Sequence, residues 1–442
     1  MVRQVGARRT RYDYVFQSQR FVCKMDFSGQ YFTLYNNRLK ELRLLAKRQA
    51  ANLWSEENLT DAQLLEIKAD TPCAAIGILV KRYALRPSVI DKYIVKVGVM
   101  SRPSVVSSFY SAEDPLYLED ESGRVVLDFH CEKPWQDLVT GIVLAVNGVM
   151  KANAVFEVTD FCFPEVDMPP RHRIVRDGND EYIGFVSGLE LGNNAYDPLL
   201  LHLLVQYFLG NLTQASREES AKILRLVVLG NSIYKPPSAY ALSRTSLVGN
   251  EAQGKADLYH SIKDLDTILA ELVSSIPVDI IPGEMDPTNI SWPQQALNPY
   301  LFPHASRYSA LQSAPNPYEF SLDGLKFLCT SGQNVSTLTT FSRPQSAIDV
   351  ACNTLEWRHL APLCPDYIPA LIHSDDDPLI VHQLPNVYVV GNQPEFAHRV
   401  LSNGSRVVTV PKFSEGKHQL VLVNLGSLEA TCVAFGSTLD TR

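Results

Sequence analysis

Four apolar runs in the second half of the chain break off in glycine-bearing loops of closely similar form: VSGLELG at 186–192, VLGNS at 228–232, IPGEMDP at 281–287 and VVGNQP at 389–394. The run from Ile223 to Gly230, ILRLVVLG, is apolar on both faces and too short for a buried helix, so it reads as a strand covered on both sides. Strands of this kind, separated by helical patterns, build an open α/β sheet. In such sheets the ligand loops gather at the carboxyl ends of the strands. Loops so placed would ordinarily hold the chemistry of this half.

The pattern of the second half runs from 181 to the C-terminus. YIGFVSGLELG is a buried strand, and Asp197 is placed to cap a helix over 198–210. The pair Ser216-x-x-Glu219 reads as a capping box that opens a further short helix. Leu258, Ile262, Leu265, Leu269 and Leu272 mark the strongest helix of the chain. VDIIPGE, LKFLCTSG and NVYVVGNQP follow as strand-to-loop units, and VVTVPKF, QLVLVNL and TCVAF close with a β meander. Residues 181–442 are read as one α/β domain, and no repeat of solenoid period is visible.

The first half has another character. Residues 1–24 carry Arg3, Arg8, Arg9, Arg11, Arg20 and Lys24 against Asp13, and read as a solvated basic tail. Tyr31, Leu34, Tyr35, Leu42, Leu45 and Ala46 recur at helical spacing, with Arg38, Lys40, Glu41, Arg43, Lys47 and Arg48 around them. One buried stripe and a charged back predict a helix over 30–54. Residues 73–164 then offer five β-rich runs in under a hundred residues. Among them is a hairpin, LYLEDESGRVVLDF, with its turn at Glu121-Ser122-Gly123. Gly77, Gly141 and Gly148 stand where a small barrel must bend, so residues 25–165 are read as a helix plus an OB-like barrel. The stretch 166–180, EVDMPPRHRIVRDGND with its first residue at 165, is read as a linker.

Composition closes several routes. Forty Lys and Arg stand against 48 Asp and Glu, a formal charge of −8, which excludes a grip on nucleic acid by bulk charge. The most apolar stretch, Leu199 to Leu209, is interrupted by His202 and Gln206 and is far short of the ~20 residues of a membrane span. The N-terminus has no apolar run behind its charges, and the 8 Cys are scattered without a C-x-x-C pair. A reduced intracellular compartment is the expectation.

Three possible sites are set aside. Gly249 to Lys255 fits G-x-x-x-x-G-K, yet Ala256 stands where magnesium needs Ser or Thr, and Glu251 puts a negative charge in the loop. His373, Asp375, Asp376 and Asp377 lack the ligand spacing of a calcium loop and read as a solvated acidic loop. The barrel hairpin carries Glu119, Asp120, Glu121 and Asp128 against Arg124, which opposes single-strand binding along that edge.

The four strand-end loops are the informative signal. A two-metal phosphoesterase places D-x-H, G-D, G-N-H-[DE] and G-H-x-H there, because two divalent cations need a bridging carboxylate and several imidazoles. Here the glycines remain and the ligands do not. Ser187 and Glu190 stand at the first pair, Asn231 at the Asp, Glu284 and Met285 at Asn-His, and Asn392 and Pro394 at the last two His. Glu190, Glu284 and Asp286 together offer at most a weak oxygen site.

An OB-like domain followed by a phosphoesterase-like domain with ruined metal loops resembles the B-subunits of replicative DNA polymerases. The strings VVLGNSIY, PVDIIPGEMDPTN with WPQQALNPYLFP, NPYEFSLDGLKFLCTSGQNV, VYVVGNQPEF, VVTVPKFS and, in the first half, YNNRLKELR and LVTGIVLAVNGV resemble the DNA polymerase delta branch of small regulatory subunits. The likeness covers nearly the whole chain, least so residues 1–20. It implies an N-terminal helix and OB-like barrel followed by a calcineurin-like phosphoesterase-type α/β sandwich lacking its metal ligands. It further implies no catalytic, metal or cofactor residues and a nuclear, non-catalytic scaffold in replication and repair. The partners it implies are the catalytic subunit, met through its cysteine-rich C-terminal module, and a third, clamp-tethering subunit. In the family this subunit is shared with polymerase zeta. DNA would be contacted only indirectly. Two readings stay open beside it: a divergent metal-dependent phosphodiesterase or nuclease using Glu190, Glu284 and Asp286, and a single-strand DNA-binding protein using residues 21–165.

Overall fold

The computed structural model describes residues 12–23, 29–54, 63–86, 108–170, 180–193, 197–235, 248–372, 375–436 and 440–441, with backbone alone for 248–256 and 440–441. The chain divides into two compact units. A sandwich unit is made of residues 1–24, 168–333 and 385–442; a barrel unit is made of residues 25–167 and 334–384.

The barrel unit holds a closed five-stranded barrel in the order Pro72–Lys81, Leu116–Glu119, Arg124–Phe129, Val155–Cys162, Val143–Met150. Closure removes open sheet edges. The hairpin turn is built by Asp120, whose Oδ1 accepts from the Ser122 and Gly123 amides at 2.8 and 3.1 Å. The helix Tyr31–Leu53 packs on the barrel through Leu39, Leu42, Ala46 and Ala50. Two details differ from the expected stripe. Tyr31 is exposed, and Arg38, expected on the charged back, is fully buried.

Residues 334–384 belong to this unit, so the α/β domain expected to run unbroken through 181–442 is interrupted. The reason is a set of long-range polar and aromatic contacts. Arg38 reaches Asp377 at 2.8 Å and donates to the carbonyls of Gly141, Pro362 and Cys364. Tyr83 stacks edge-on against Phe341 and Tyr367, with centroids 4.9 and 5.6 Å away. Asp377, expected in a solvated acidic loop, is thus a core residue; His373 and Ser374 lie outside the described residues. Leu355 and Trp357 are also core.

In the sandwich unit two mixed sheets face each other. One has the order Tyr14–Phe16, Tyr318–Leu322, Leu325–Thr330, Val387–Gln393, Arg406–Pro411, Ala397–Val400. The other has the order Leu311–Ser313, Val278–Ile281, Ile223–Leu229, Tyr182–Val186, Gln419–Asn424, Ala430–Ala434, Asp440–Thr441. Phe185, Val227, Tyr318, Phe320, Phe327 and Val389 fill the space between them. The helices Pro198–Leu209 and Val248–Val273 cover the far face of the second sheet through Leu204, Phe208, Leu265 and Leu269.

Asp197 caps the first of these helices as expected, accepting from Leu199 N–H at 2.9 Å. The next helix, Gln214–Ala221, starts from Thr213 rather than Ser216, which supplies the reciprocal bond of the box. The Gly249–Lys255 match lies inside the helix Val248–Val273 and is no strand-to-helix loop; its side chains lie outside the described residues.

The basic tail is shorter than expected. Tyr14–Phe16 pairs antiparallel with Phe320–Leu322, Phe21 is buried, and Arg20 donates to Glu319 at 3.1 Å. Residues 1–11, and 171–179 of the expected linker, lie outside the described residues. Among the described residues no helix is long and apolar enough to cross a membrane.

Candidate functional site

The parallel strands of both sheets end on one side of the sandwich, and the four loops read from the sequence meet there with two more, 331–332 and 412–414. Main-chain bonds tie them together. Gly188 N–H donates to Gly230 O at 3.0 Å, Glu190 N–H to Asn231 O at 3.0 Å, and Phe413 N–H to Ser187 O at 2.7 Å. The loops approach so closely that glycine is obligatory. A Cβ on Gly332 (φ +90°) would fall 1.8 Å from Gly391 O, and one on Gly230 (φ +76°) 2.7 Å from Gly283 N. Glu190, Asn231 and Asn392 also adopt left-handed backbone, at φ 48°, 51° and 55°. For non-glycine residues that costs of order 1 kcal/mol or more each.

Most side chains at this junction are spent on the loops' main chain or on one another, while Asn392 Oδ1 and Ser232 Oγ are buried without a hydrogen-bond partner among the described residues. Ser187 is buried; its hydroxyl donates toward Val410 O and Pro411 O and accepts from Asn392 N–H at 2.9 Å. Asn392 donates through Nδ2 to Leu229 O at 3.0 Å and Ser331 O at 2.8 Å. Asn231 accepts Met285 N–H at 3.2 Å. Asp286, fully buried, accepts from Gly283 N–H at 2.7 Å and Ile233 N–H at 3.0 Å. Burial pushes its carboxyl up to about 6 even with amide donors from Gly283, Ile233, Ser232 and Asn231. Glu190 faces the Lys412 ammonium at 3.2 Å and accepts from Ser414 Oγ at 2.9 Å and Asn193 Nδ2 at 2.8 Å. Burial lowers the Lys412 ammonium, but Glu190 and then Glu415 outweigh it and hold the ammonium above its ordinary value. Glu284 and Pro394 are exposed, and Met285 is half-buried.

Divalent cations need converging oxygen and imidazole lone pairs. This junction instead presents an amide N–H pair from Asn392, a hydroxyl already bonded to carbonyls and an ammonium from Lys412. The donors are already given to loop carbonyls and the ammonium occupies the Glu190 carboxylate, which leaves Asn392 Oδ1 as an acceptor without a described partner, too little for a divalent cation. Among the described residues there is no group of three or more His, Cys, Asp or Glu that could hold a metal ion. The residues present do not fit a two-metal centre.

Lys412, Ser414, Ser331 and Gln393 complete the junction and were not singled out in the sequence. Gln393 Nε2 bonds Gly391 O at 2.7 Å, and Asn316 Nδ2 bonds Ser331 Oγ at 2.6 Å. The available signal was a lysine directly after the apolar strand VVTVP.

Comparison with known proteins gives two family matches. Residues 183–398 match the family model for the B-subunit of DNA polymerases alpha and epsilon, and residues 30–161 match the DNA polymerase delta subunit OB-fold domain. The chain is 34% identical to the DNA polymerase delta small subunit of Oryza sativa subsp. japonica over 417 residues, covering 93% of this chain and 94% of the rice protein. It is 29% identical to that of Saccharomyces cerevisiae over 458 residues, covering 93% and 90%. A solved dimetal phosphatase from Danio rerio aligns with 58% of this chain and 99% of its own, at 14% identity and TM-score 0.28.

Proposed function

From its membership of the DNA polymerase delta small-subunit family, to which this chain belongs, we propose that it is a non-catalytic scaffold of the replicative polymerase. It is an accessory subunit, and it works in a complex with the catalytic chain. In the finer reading it receives the cysteine-rich C-terminal module of the catalytic subunit and, separately, a third subunit that carries the clamp tether. The same scaffold serves polymerase zeta and acts in the nucleus.

One observation carries the non-catalytic part. Where a phosphoesterase would hold its metals, Asn392 and Ser187 bond the loops' own carbonyls and the Lys412 ammonium pairs with Glu190. A loop set filled in this way keeps the close glycine contacts of a rigid platform and leaves no buried carboxylate cluster that a lost metal would strand.

The test is co-expression of the full chain with the catalytic chain of a delta-type polymerase, followed by sizing and quantitation of both chains. Near-equal stoichiometry through a wash at moderate salt is expected. A chain that elutes alone at every wash strength overturns the scaffold. A parallel assay offers a phosphodiester with manganese. Turnover abolished by Glu284→Ala would establish the nuclease reading instead; no turnover above buffer is expected.

A further inference from the structure

Beside the helix Tyr31–Leu53 the barrel unit carries a pocket of about 300 Å³. This is the lower end of the range for ligand sites, about 300–1,000 Å³. Its floor is apolar: Phe32, Tyr35 and Leu39 come from the helix, and Ile78 and Val80 from the first barrel strand. Its rim is acidic, with Glu119, Asp120 and Glu121 from the hairpin and Asp366 opposite, against Arg124 as the single lining guanidinium. Phe32 is 68% exposed at this pocket, a large aromatic face left to water.

Two of the rim carboxylates, Glu119 and Glu121, are open to exchange, whereas the Asp120 side chain is 1% exposed and is already spent on the turn and on Leu64 N–H. Burial would raise the Asp120 carboxyl, but hydrogen bonds from the Ser122 hydroxyl and from the Leu64, Ser122 and Gly123 amides keep it net below its ordinary value, so it is an anion. Glu119 pairs with Arg124, and Glu121 with Arg43 at 3.0 Å. These four side chains are one-third to one-half exposed, and pairs of that kind are worth only about 0–1 kcal/mol. An incoming cation exchanges for either arginine at small cost. Phosphate is repelled here, which sets nucleic acid aside. A neutral small molecule brings no charge to Glu119, Glu121 and Asp366.

We propose that this pocket is a docking site for a short basic segment of a partner protein, which seats one aliphatic or aromatic side chain on the Tyr35–Leu39–Ile78 floor and sets flanking lysine or arginine against Glu119, Glu121 and Asp366. Charge complementarity selects the segment and the apolar floor anchors it. The surface belongs to the barrel unit and shares no residue with the strand-end junction, and the proposal goes beyond the scaffold reading by giving one face a chemistry.

The experiment uses the full chain and fluorescence anisotropy. The probe is a fluorescein-labelled octapeptide with a central leucine–phenylalanine pair flanked by lysines and arginines. Two controls replace the central pair by serines or every cation by glutamate. The first peptide is expected to bind more tightly at low salt. Its affinity is expected to fall about tenfold or more with either control, with the double variant E119Q/E121Q and with Phe32→Ser. Because the substituted side chains are substantially exposed, the variants are expected to melt with the wild type. Equal affinity for the wild type and the double variant overturns the proposal. So does equal affinity for the serine control, or no binding up to about 1 mM.

Discussion

Removing the carboxylate of Asp377 tests the account of the barrel unit most directly. Arg38 and Asp377 have no exposed side-chain surface. The guanidinium donates from Nε to Asp377 at 2.8 Å, from Nη1 to Gly141 O and Pro362 O at 3.1 and 3.0 Å, and from Nη2 to Cys364 O at 3.0 Å. Asp377 accepts in addition from Leu379 N–H at 3.0 Å and from His359 Nε2 at 2.9 Å. The Ala361 N–H at 3.2 Å fills His359 Nδ1, which places the ring proton on Nε2. Asp377→Ala leaves a buried guanidinium without its counter-charge, a loss of about 3–5 kcal/mol. At about 2–4 °C per kcal/mol for a unit of this size, the Tm of the barrel unit is expected to fall by ~6–20 °C.

The pH dependence follows from the same contacts. Burial alone would raise the Asp377 carboxyl, but Arg38 first and His359 second hold it well below the usual carboxylate range. A depressed folded value means that the pair's contribution is present above the unfolded value of about 3.9 and is lost as pH falls below it. The gap between wild type and Asp377→Ala is therefore expected to be constant from about pH 5 to 8 and to close only below about pH 4. Melts followed by tryptophan emission read this unit, because Trp54, Trp135 and Trp357 lie in it and only Trp292 lies in the other. A variant that melts within about 2 °C of wild type, or a gap that closes between about pH 7 and 5, would refute the reasoning.

Asp286 gives the opposite sign. Its carboxyl is raised to about 6, so the folded state holds that proton more tightly than the unfolded chain, and the sandwich unit loses stability as pH climbs from about 4 to 6. Asp286→Asn is expected to flatten that segment of a denaturant-midpoint profile; a profile parallel to wild type would contradict the assignment. Gly332→Ala forces a Cβ into Gly391 O and is expected to cost about 1–3 kcal/mol in chemical denaturation, with no cost meaning that the loops are not packed as described. Burial lowers the Lys81 ammonium to about 8, with Asp114 and Asp137 opposing, so wild-type stability is expected to rise as pH passes 8. Lys81→Met is expected to stabilise the barrel unit by about 1–3 kcal/mol at pH 7, with the gain narrowing above about pH 8; a gain independent of pH would show that the buried charge is not its source.

What the sequence made legible was local. The hairpin at 116–129 announces itself through two β-rich runs and a polar turn, and the barrel follows from the spacing of such runs. Asp197 precedes a proline and an apolar helix, so its capping role stands out. The start of Gln214–Ala221 was harder, because Thr213 and Ser216 are equally good caps and a helix so polar has no apolar stripe to arbitrate. Tyr14–Phe16 escaped notice because three residues carry no periodicity, and their partner strand lies 304 positions away. Asp377 looked solvated beside Asp375 and Asp376; only Arg38 distinguishes it. At the strand-end junction the missing ligands could be read from the loops, whereas Lys412 could not, since its role depends on Glu190 from another strand.

The interleaving of the two units has a consequence for synthesis. Arg38 leaves the ribosome 339 residues before Asp377. At roughly 5–20 residues per second that is a wait of about 17–70 s; for about the last 11–43 s of it, after Cys162, the barrel strands are complete while the segment that neutralises Arg38 does not yet exist. The nascent barrel must pass that interval with the Arg38 cation unpaired and with Ile380 missing from the cluster of Leu39 and Leu42. A chain stopped between residues 162 and 377 is therefore expected to present a client surface to chaperones, so that a stop well past the last barrel strand still leaves the barrel unit incomplete.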